Sequence, residues 1–239
     1  MFFGKQGLLP GLVVLWSLAV EEHFYIIYAL AFYLMISKST LNRLGAGLII
    51  LCVVILFWRA YIAMGLVEGL NLTREFLHTS TASDTRVDSM IFGCIMAVFL
   101  NPLDSKKPNI SKVNMYLLLT CSCIGILLTL LYRDYFFRET IRYTIQGISL
   151  IPVFYFSITC SNNILFKWLS FKWIEYFGRI SYTFYLSHFV CIYLAPKILP
   201  TFGVIENYVF AFFLSIAFSS LMYFTIETYF NKKRKQLSF

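Results

Sequence analysis

Two carboxylates, Glu21 and Glu22, stand side by side within the largely apolar run from Leu12 to Ile36. No other feature constrains the chain as much. A helix of that length, rising 1.5 Å per residue, can cross a hydrocarbon core of about 30 Å. An ionisable side chain at the centre of such a helix costs about 2.5–3.5 kcal/mol on insertion scales, so it marks a purpose other than facing lipid.

The rest of the chain is built in the same way. Of its 239 residues, 59% are hydrophobic and 13% are charged. A soluble domain carries about 25% charged residues, so this chain cannot cover itself with polar surface. Its apolar runs are continuous rather than alternating, which points to helices. The expectation is an all-α polytopic membrane bundle of about seven transmembrane segments, forming a single membrane domain over residues 1–239. The segments are near 12–36, 45–67, 87–100, 114–132, 141–160, 173–194 and 207–229. The third is short for a full span and is expected to extend back through Arg86 or to begin as a broken helix.

The net charge of +8 raises the possibility of nucleic-acid binding. The cations cluster in short loops, as topology signals do, and no basic stripe interleaved with aromatics is visible. The predicted partner is therefore a lipid bilayer and not nucleic acid. The six cysteines, Cys52, Cys94, Cys121, Cys123, Cys160 and Cys191, fall in or at the ends of apolar runs without metal-ligand spacing, and read as small core residues. No metal site is expected. Met1 to Pro10 lacks the pattern of a signal peptide and reads like a loop entered in mid-chain.

Loop charges set an orientation. The tail from Asn231 to Lys235 is expected in the cytoplasm. Alternation then places loops 37–44 (Lys38, Arg43), 101–113 (Lys106, Lys107, Lys112) and 161–172 (Lys167, Lys172) on the same side. The opposite loops match arginine with acid: Arg74 with Glu68, Glu75 and Asp84, and Arg133 and Arg138 with Asp134 and Glu139. Multi-pass insertion in the inner (plasma) membrane follows. It brings Glu21 and Glu22, Arg86 and Asp88, and His188 to the outer half at similar depth.

Three stretches can carry chemistry. Ser17, Glu21 and Tyr25 share one helical face beside Trp16, with Glu22 about 100° round. A carboxylate there can orient an imidazole, act as a base or pair with an arginine; the plainer reading is a structural ion pair or a headgroup-level anchor. Arg86-Val87-Asp88 to Gly93 opens the third segment. Arg86 can fork onto Glu21, Glu22 or a phosphate, or simply mark the membrane boundary, and Gly93 can admit close helix packing. In the third stretch, Ser181, Tyr185 and His188 face together next to Tyr182. His188 is a proton-transfer candidate or a histidine hydrogen-bonded quietly inside the bundle. Glu227, close to the basic tail, reads as a cytoplasmic-side salt bridge. His23 and His78 show no obvious partner. Asn71-Leu72-Thr73 and Asn109-Ile110-Ser111 match glycosylation acceptors by a short pattern.

The stretch Trp16-Ser17-Leu18-Ala19-Val20-Glu21-Glu22-His23-Phe24-Tyr25 resembles the WSLxVEExFY signature of the acyltransferase family 3 membrane proteins, which O-acetylate surface polysaccharide, lipopolysaccharide and peptidoglycan. Arg86 to Gly93 is similar to the family's RxDxxxxG element, and Gly178-Arg179-Ile180-Ser181-Tyr182 to His188 to its GxxSYxxYLxH helix. Ile226-Glu227 resembles the closing IE element, although Thr228 stands where a proline is often found, and His23 replaces a commoner glutamine.

The resemblance implies a cell-envelope enzyme that moves an acyl group, usually acetyl, from cytoplasmic acyl-CoA to a hydroxyl of a surface or lipid-linked glycan. No bound cofactor is implied; acetyl-CoA is a substrate. It implies supporting catalytic roles for Glu21, Glu22 and His188. Trp16, Ser17, Tyr25, Arg86, Asp88, Ser181, Tyr182 and Tyr185 are the implied substrate-binding residues. Family members open with several helices ahead of the WSL element, and these hold an arginine and, about ten residues on, the catalytic histidine. Only fifteen residues precede Trp16 here, so the expectation is a C-terminal portion of the domain, with no residue assigned as that base. The competing expectations are a non-catalytic or transporter-like protein of the same fold, or an enzyme using another donor such as succinyl-CoA.

Overall fold

Where described, the apolar stretches are helical, joined by shorter helices. The computed structural model describes residues 14–34, 38–65, 72–104 and 110–237. The Met1–Pro10 stretch, Glu68, Asn71, Lys106, Lys107 and Asn109 lie outside the described residues, as do the side chains of Lys38, Arg74, Glu75 and Lys235. In order, the α-helices are α1 (Leu15–Leu34), α2 (Lys38–Ala63), α3 (Leu72–Thr81), α4 (Ser83–Arg86), α5 (Asp88–Phe99), α6 (Lys112–Leu131), α7 (Tyr135–Glu139), α8 (Ile141–Thr159), α9 (Lys172–Ile198), α10 (Val204–Met222) and α11 (Thr228–Leu237). No strand occurs among the described residues. Among the described residues, three helices are long and apolar enough to cross a membrane: Leu41–Ala63, Lys112–Leu131 and Val204–Arg234.

The third apolar stretch is a broken helix. The single turn α4 ends at Arg86, and α5 restarts at Asp88 across Val87. Arg86 and Asp88 therefore flank a joint rather than one continuous helical face.

Two compact units emerge: Ser17–Phe166, and Lys167–Phe239 with the residues up to Trp16. In the first, α1 buries Val20 and Phe24, one helical turn apart. Phe24 joins Leu44, Leu48, Cys52 and Ile55 of α2 and Ile91 and Phe92 of α5 in one apolar cluster. Met115 and Leu119 of α6 meet Tyr155 and Phe156 of α8 in a second. Helices α5 and α8 close up at Gly147, where an added Cβ would fall 2.1 Å from Phe92 Cδ2. Gly93, the glycine expected to permit close packing, faces open space. The close packing expected at Gly93 occurs instead at Gly147 of α8, which faces the Phe92 ring next to Gly93 on α5.

In the second unit, α9 packs on α10 through small residues. Cys191, Ala195 and Ala211 form its core. Ser187 and Ser219 are buried with their hydroxyls 3.4 Å apart. Small residues of this kind let helix backbones approach where lipid gives no hydrophobic drive. Helix α10 passes into a π-turn at Tyr223–Glu227 before α11, a local widening often found at functional positions. All six cysteines are free; Cys121 and Cys123 lie exposed on α6 instead of in a core.

Candidate functional site

The joint between α4 and α5 brings a buried ion pair together. Arg59, near the end of α2, and Asp88, at the start of α5, are both fully buried. Arg59 Nη2 lies 2.7 Å from Asp88 Oδ2, and Nη1 donates to Asp88 Oδ1 at 3.2 Å. Arg59 also donates to the Thr85 carbonyl at 3.1 Å and to Thr144 Oγ1 at 3.1 Å. One guanidinium thus ties α2, α4, α5 and α8. A buried pair of this kind persists only where further hydrogen bonds satisfy both charges.

Arg86 does not fork onto Glu21 or Glu22. Its Cζ lies 3.9 Å from the centroid of the Tyr143 ring, a cation–π contact. Arg142 and Arg59 approach the same ring at 4.7 and 5.1 Å, and Arg142 Nη2 donates to the Tyr143 hydroxyl at 2.8 Å. The Nε and Nη1 atoms of Arg86 are buried without a hydrogen-bond partner among the described residues. Three guanidiniums surround one phenol, and Asp88 is the carboxylate paired among them. This arrangement holds fixed positive charge with donors to spare.

Beside it, α3 and α4 carry a polar network. His78 Nε2 lies 3.0 Å from Asp84 Oδ2, and Trp58 Nε1 donates to the same oxygen at 2.8 Å. His23 Nδ1 lies 2.8 Å from Ser83 Oγ. Both histidines therefore have partners that sequence reasoning did not find. The contacts span 6 and 60 residues and cross between helices, so no local pattern announces them.

Glu21 is half-buried and Glu22 exposed on α1. Neither makes an ion pair or hydrogen bond among the described residues. Trp16 and Ser17 are half-buried, and Tyr25 is exposed.

In the second unit, the hydroxyls and imidazole of α9 turn back on their own helix. Ser181 Oγ donates to the Gly178 carbonyl at 2.8 Å, and His188 Nδ1 lies 2.5 Å from the Tyr185 carbonyl. The second imidazole nitrogen, Nε2, has no partner among the described residues. The His188 ring sits among Phe184, Tyr185 and Phe189, while Tyr182 is exposed. Arg179 pairs with Glu175 one turn away.

Glu227 corrects its sequence reading. It accepts from Thr183 Oγ1 at 2.6 Å and makes no ion pair among the described residues. The π-turn carries it onto α9 instead of toward the basic tail. Both residues line a cavity of about 620 Å³ between α9 and α10 that is otherwise walled mainly by apolar side chains such as Leu186, Val190 and Phe218.

Arg59 is the central residue that sequence reasoning missed. The signal was present: an arginine within the apolar stretch Leu48–Ala63 invites the same argument as Glu21.

The fold and this site define a chain that is helical among the described residues, with helices long and apolar enough to cross a membrane and a buried arginine-rich centre in its first unit. The acyltransferase family 3 profile, described as an acyltransferase domain, matches residues 2–224, and the chain belongs to that family. It is 27% identical to the O-acetyltransferase OatA of Staphylococcus aureus strain NCTC 8325, over 97% of this chain and 38% of that protein. It is 29% identical to the peptidoglycan O-acetyltransferase OatA of Listeria monocytogenes, over 83% of this chain and 31% of that protein. The chain thus spans about a third of the length of these curated relatives. No solved structure matches it.

Proposed function

We propose that this chain is a membrane-embedded part of an O-acetyltransferase, moving an acetyl group from cytoplasmic acetyl-CoA to a hydroxyl of a cell-surface glycan, with peptidoglycan as the acceptor. The observation that carries the reading is the family match over nearly the whole chain; the relatives' names supply the acetyl group and the acceptor. The loop charges support seven spans in the plasma membrane with the basic tail in the cytoplasm.

In such a transfer the acceptor oxygen bonds to the acyl carbon and the carbon–sulfur bond breaks. The hydroxyl proton passes to a base, and the carbonyl oxygen gathers negative charge on the way. A fixed donor aimed at that oxygen, or at an anionic group of a substrate, lowers the barrier. Arg86 suits this role because Nε and Nη1 are unused and its plane is held on Tyr143. Asp88 acts as a positioning residue, locking the α4–α5 joint through Arg59. Glu21 and Glu22, unpaired among the described residues, balance charge or orient an acceptor. Within the other unit, His188 of α9, whose Nε2 has no partner among the described residues, together with Ser181, Tyr182 and Tyr185, offers groups that can contact an acceptor. Trp16, Ser17 and Tyr25 complete the substrate contacts on α1. The proton-accepting base is not assigned to a residue of this chain.

Membranes from cells expressing the gene, supplied with labelled acetyl-CoA, test the reading. Transfer of label to glycan by wild type and its loss in Arg86→Ala, at equal protein level, is the expected result. Equal labelling by the variant removes Arg86 from the site. No gene-dependent labelling removes the function.

A further inference from the structure

We propose that the cavity at the end of α6 is a binding site for a phosphate group presented at the membrane surface. The cavity holds about 220 Å³ and is lined by Thr129, Leu130, Tyr132, Arg133, Arg138 and Arg142. Three arginines from three places, the loop after α6, the turn α7 and the start of α8, converge on it.

No carboxylate answers them. The two acids of the same segment are committed elsewhere. Asp134 Oδ2 caps α7 by accepting from the Phe137 N–H at 2.9 Å. Glu139 is buried and accepts from Thr79 Oγ1 at 2.8 Å. Arg133 and Arg138 were matched with these acids by number in the sequence, yet none of the three arginines has an ion pair among the described residues. Arg142 Nε is buried without a hydrogen-bond partner there. Converging guanidiniums with unused donors repel one another unless an anion sits between them. The planar fork of arginine matches phosphate oxygens in particular.

The position says which phosphate. Helix α6 is long and apolar enough to cross a membrane and ends at Leu131, and its last turn forms part of the cavity wall. Tyr132 and Tyr135, both exposed, flank that end as aromatic residues flank a headgroup layer. The cavity therefore lies at headgroup depth, where phosphodiesters are concentrated. The inference does not depend on acyl transfer.

The test uses the purified full chain in a neutral detergent. Its thermal unfolding is followed while inorganic phosphate, short-chain phosphatidylglycerol or a neutral glycolipid is added. Wild type is expected to show a saturable rise in Tm with phosphatidylglycerol and none with the glycolipid. The double variant Arg133→Gln/Arg138→Gln is expected to need about tenfold more ligand for the same rise. These two side chains make no hydrogen bond or ion pair among the described residues, so their replacement removes no polar contact there. A response to phosphatidylglycerol alone assigns the site to lipid headgroups. A response to inorganic phosphate as well assigns it to the phosphate group of any ligand. Either supports the proposal. No saturable response in wild type, or the same response in the double variant, overturns it. Acetyl transfer is not read, so failure here leaves the proposed function standing, and the reverse holds too.

Discussion

Arg59 and Asp88 meet at 2.7 Å with both side chains withdrawn from solvent, one from the end of α2 and one from the first turn of α5. The pair fixes the α4–α5 joint, and through it the neighbouring Arg86. Removing one partner leaves an uncompensated buried charge, a change that costs about 3–5 kcal/mol. Asp88→Asn and Arg59→Leu are therefore each expected to lower the yield and detergent-phase Tm of the protein sharply. The joint replacement Arg59→Met/Asp88→Leu is expected to recover much of the Tm without recovering acetyl transfer. Thermal melts of the three variants, beside an acetylation assay, check this.

Gly147 sets how closely α5 and α8 approach. An added Cβ would lie 2.1 Å from an edge atom of Phe92. Gly147→Ala is expected to destabilise by about 1–3 kcal/mol, the usual range for overpacking a tight core. Gly93→Ala, which meets open space, is expected to leave the Tm unchanged. Parallel melts of the two alanine variants separate the two glycines.

Glu227 holds the π-turn to α9 through Thr183. Thr183→Val keeps the side chain's shape and removes the donor. The loss of a hydrogen bond to a carboxylate is worth about 1.5–3 kcal/mol. The expected outcome is a lowered Tm together with faster proteolysis in the Lys232–Arg234 segment. An unchanged cleavage pattern argues that the π-turn holds without this contact.

The helices were legible because hydrophobic runs long enough to span a membrane need no tertiary information. The broken start of the third stretch was one of two alternatives that its shortness left open, the other being a continuous extension back through Arg86. The partners were not visible. Arg59 and Asp88 are 29 residues apart, Thr183 and Glu227 are 44 apart, and only packing brings them together. Asp84 meeting His78 and Trp58 shows the same limit: loop charges can be counted in a sequence, but their partners come from other helices that only packing brings near. Glu21 and Glu22, the most visible acids, make no described contact, whereas the less visible Arg59 organises four helices.

The most direct measurement is the O-acetyl content of the cell-surface glycan, read by mass spectrometry in cells with the gene, without it, and with Arg86→Ala in its place. The expected result is acetylated glycan with the wild-type gene, loss of the gene-dependent acetylation on deletion, and the same loss in the variant despite normal protein level. Unchanged O-acetyl content on deletion would contradict acyl transfer to that glycan by this protein.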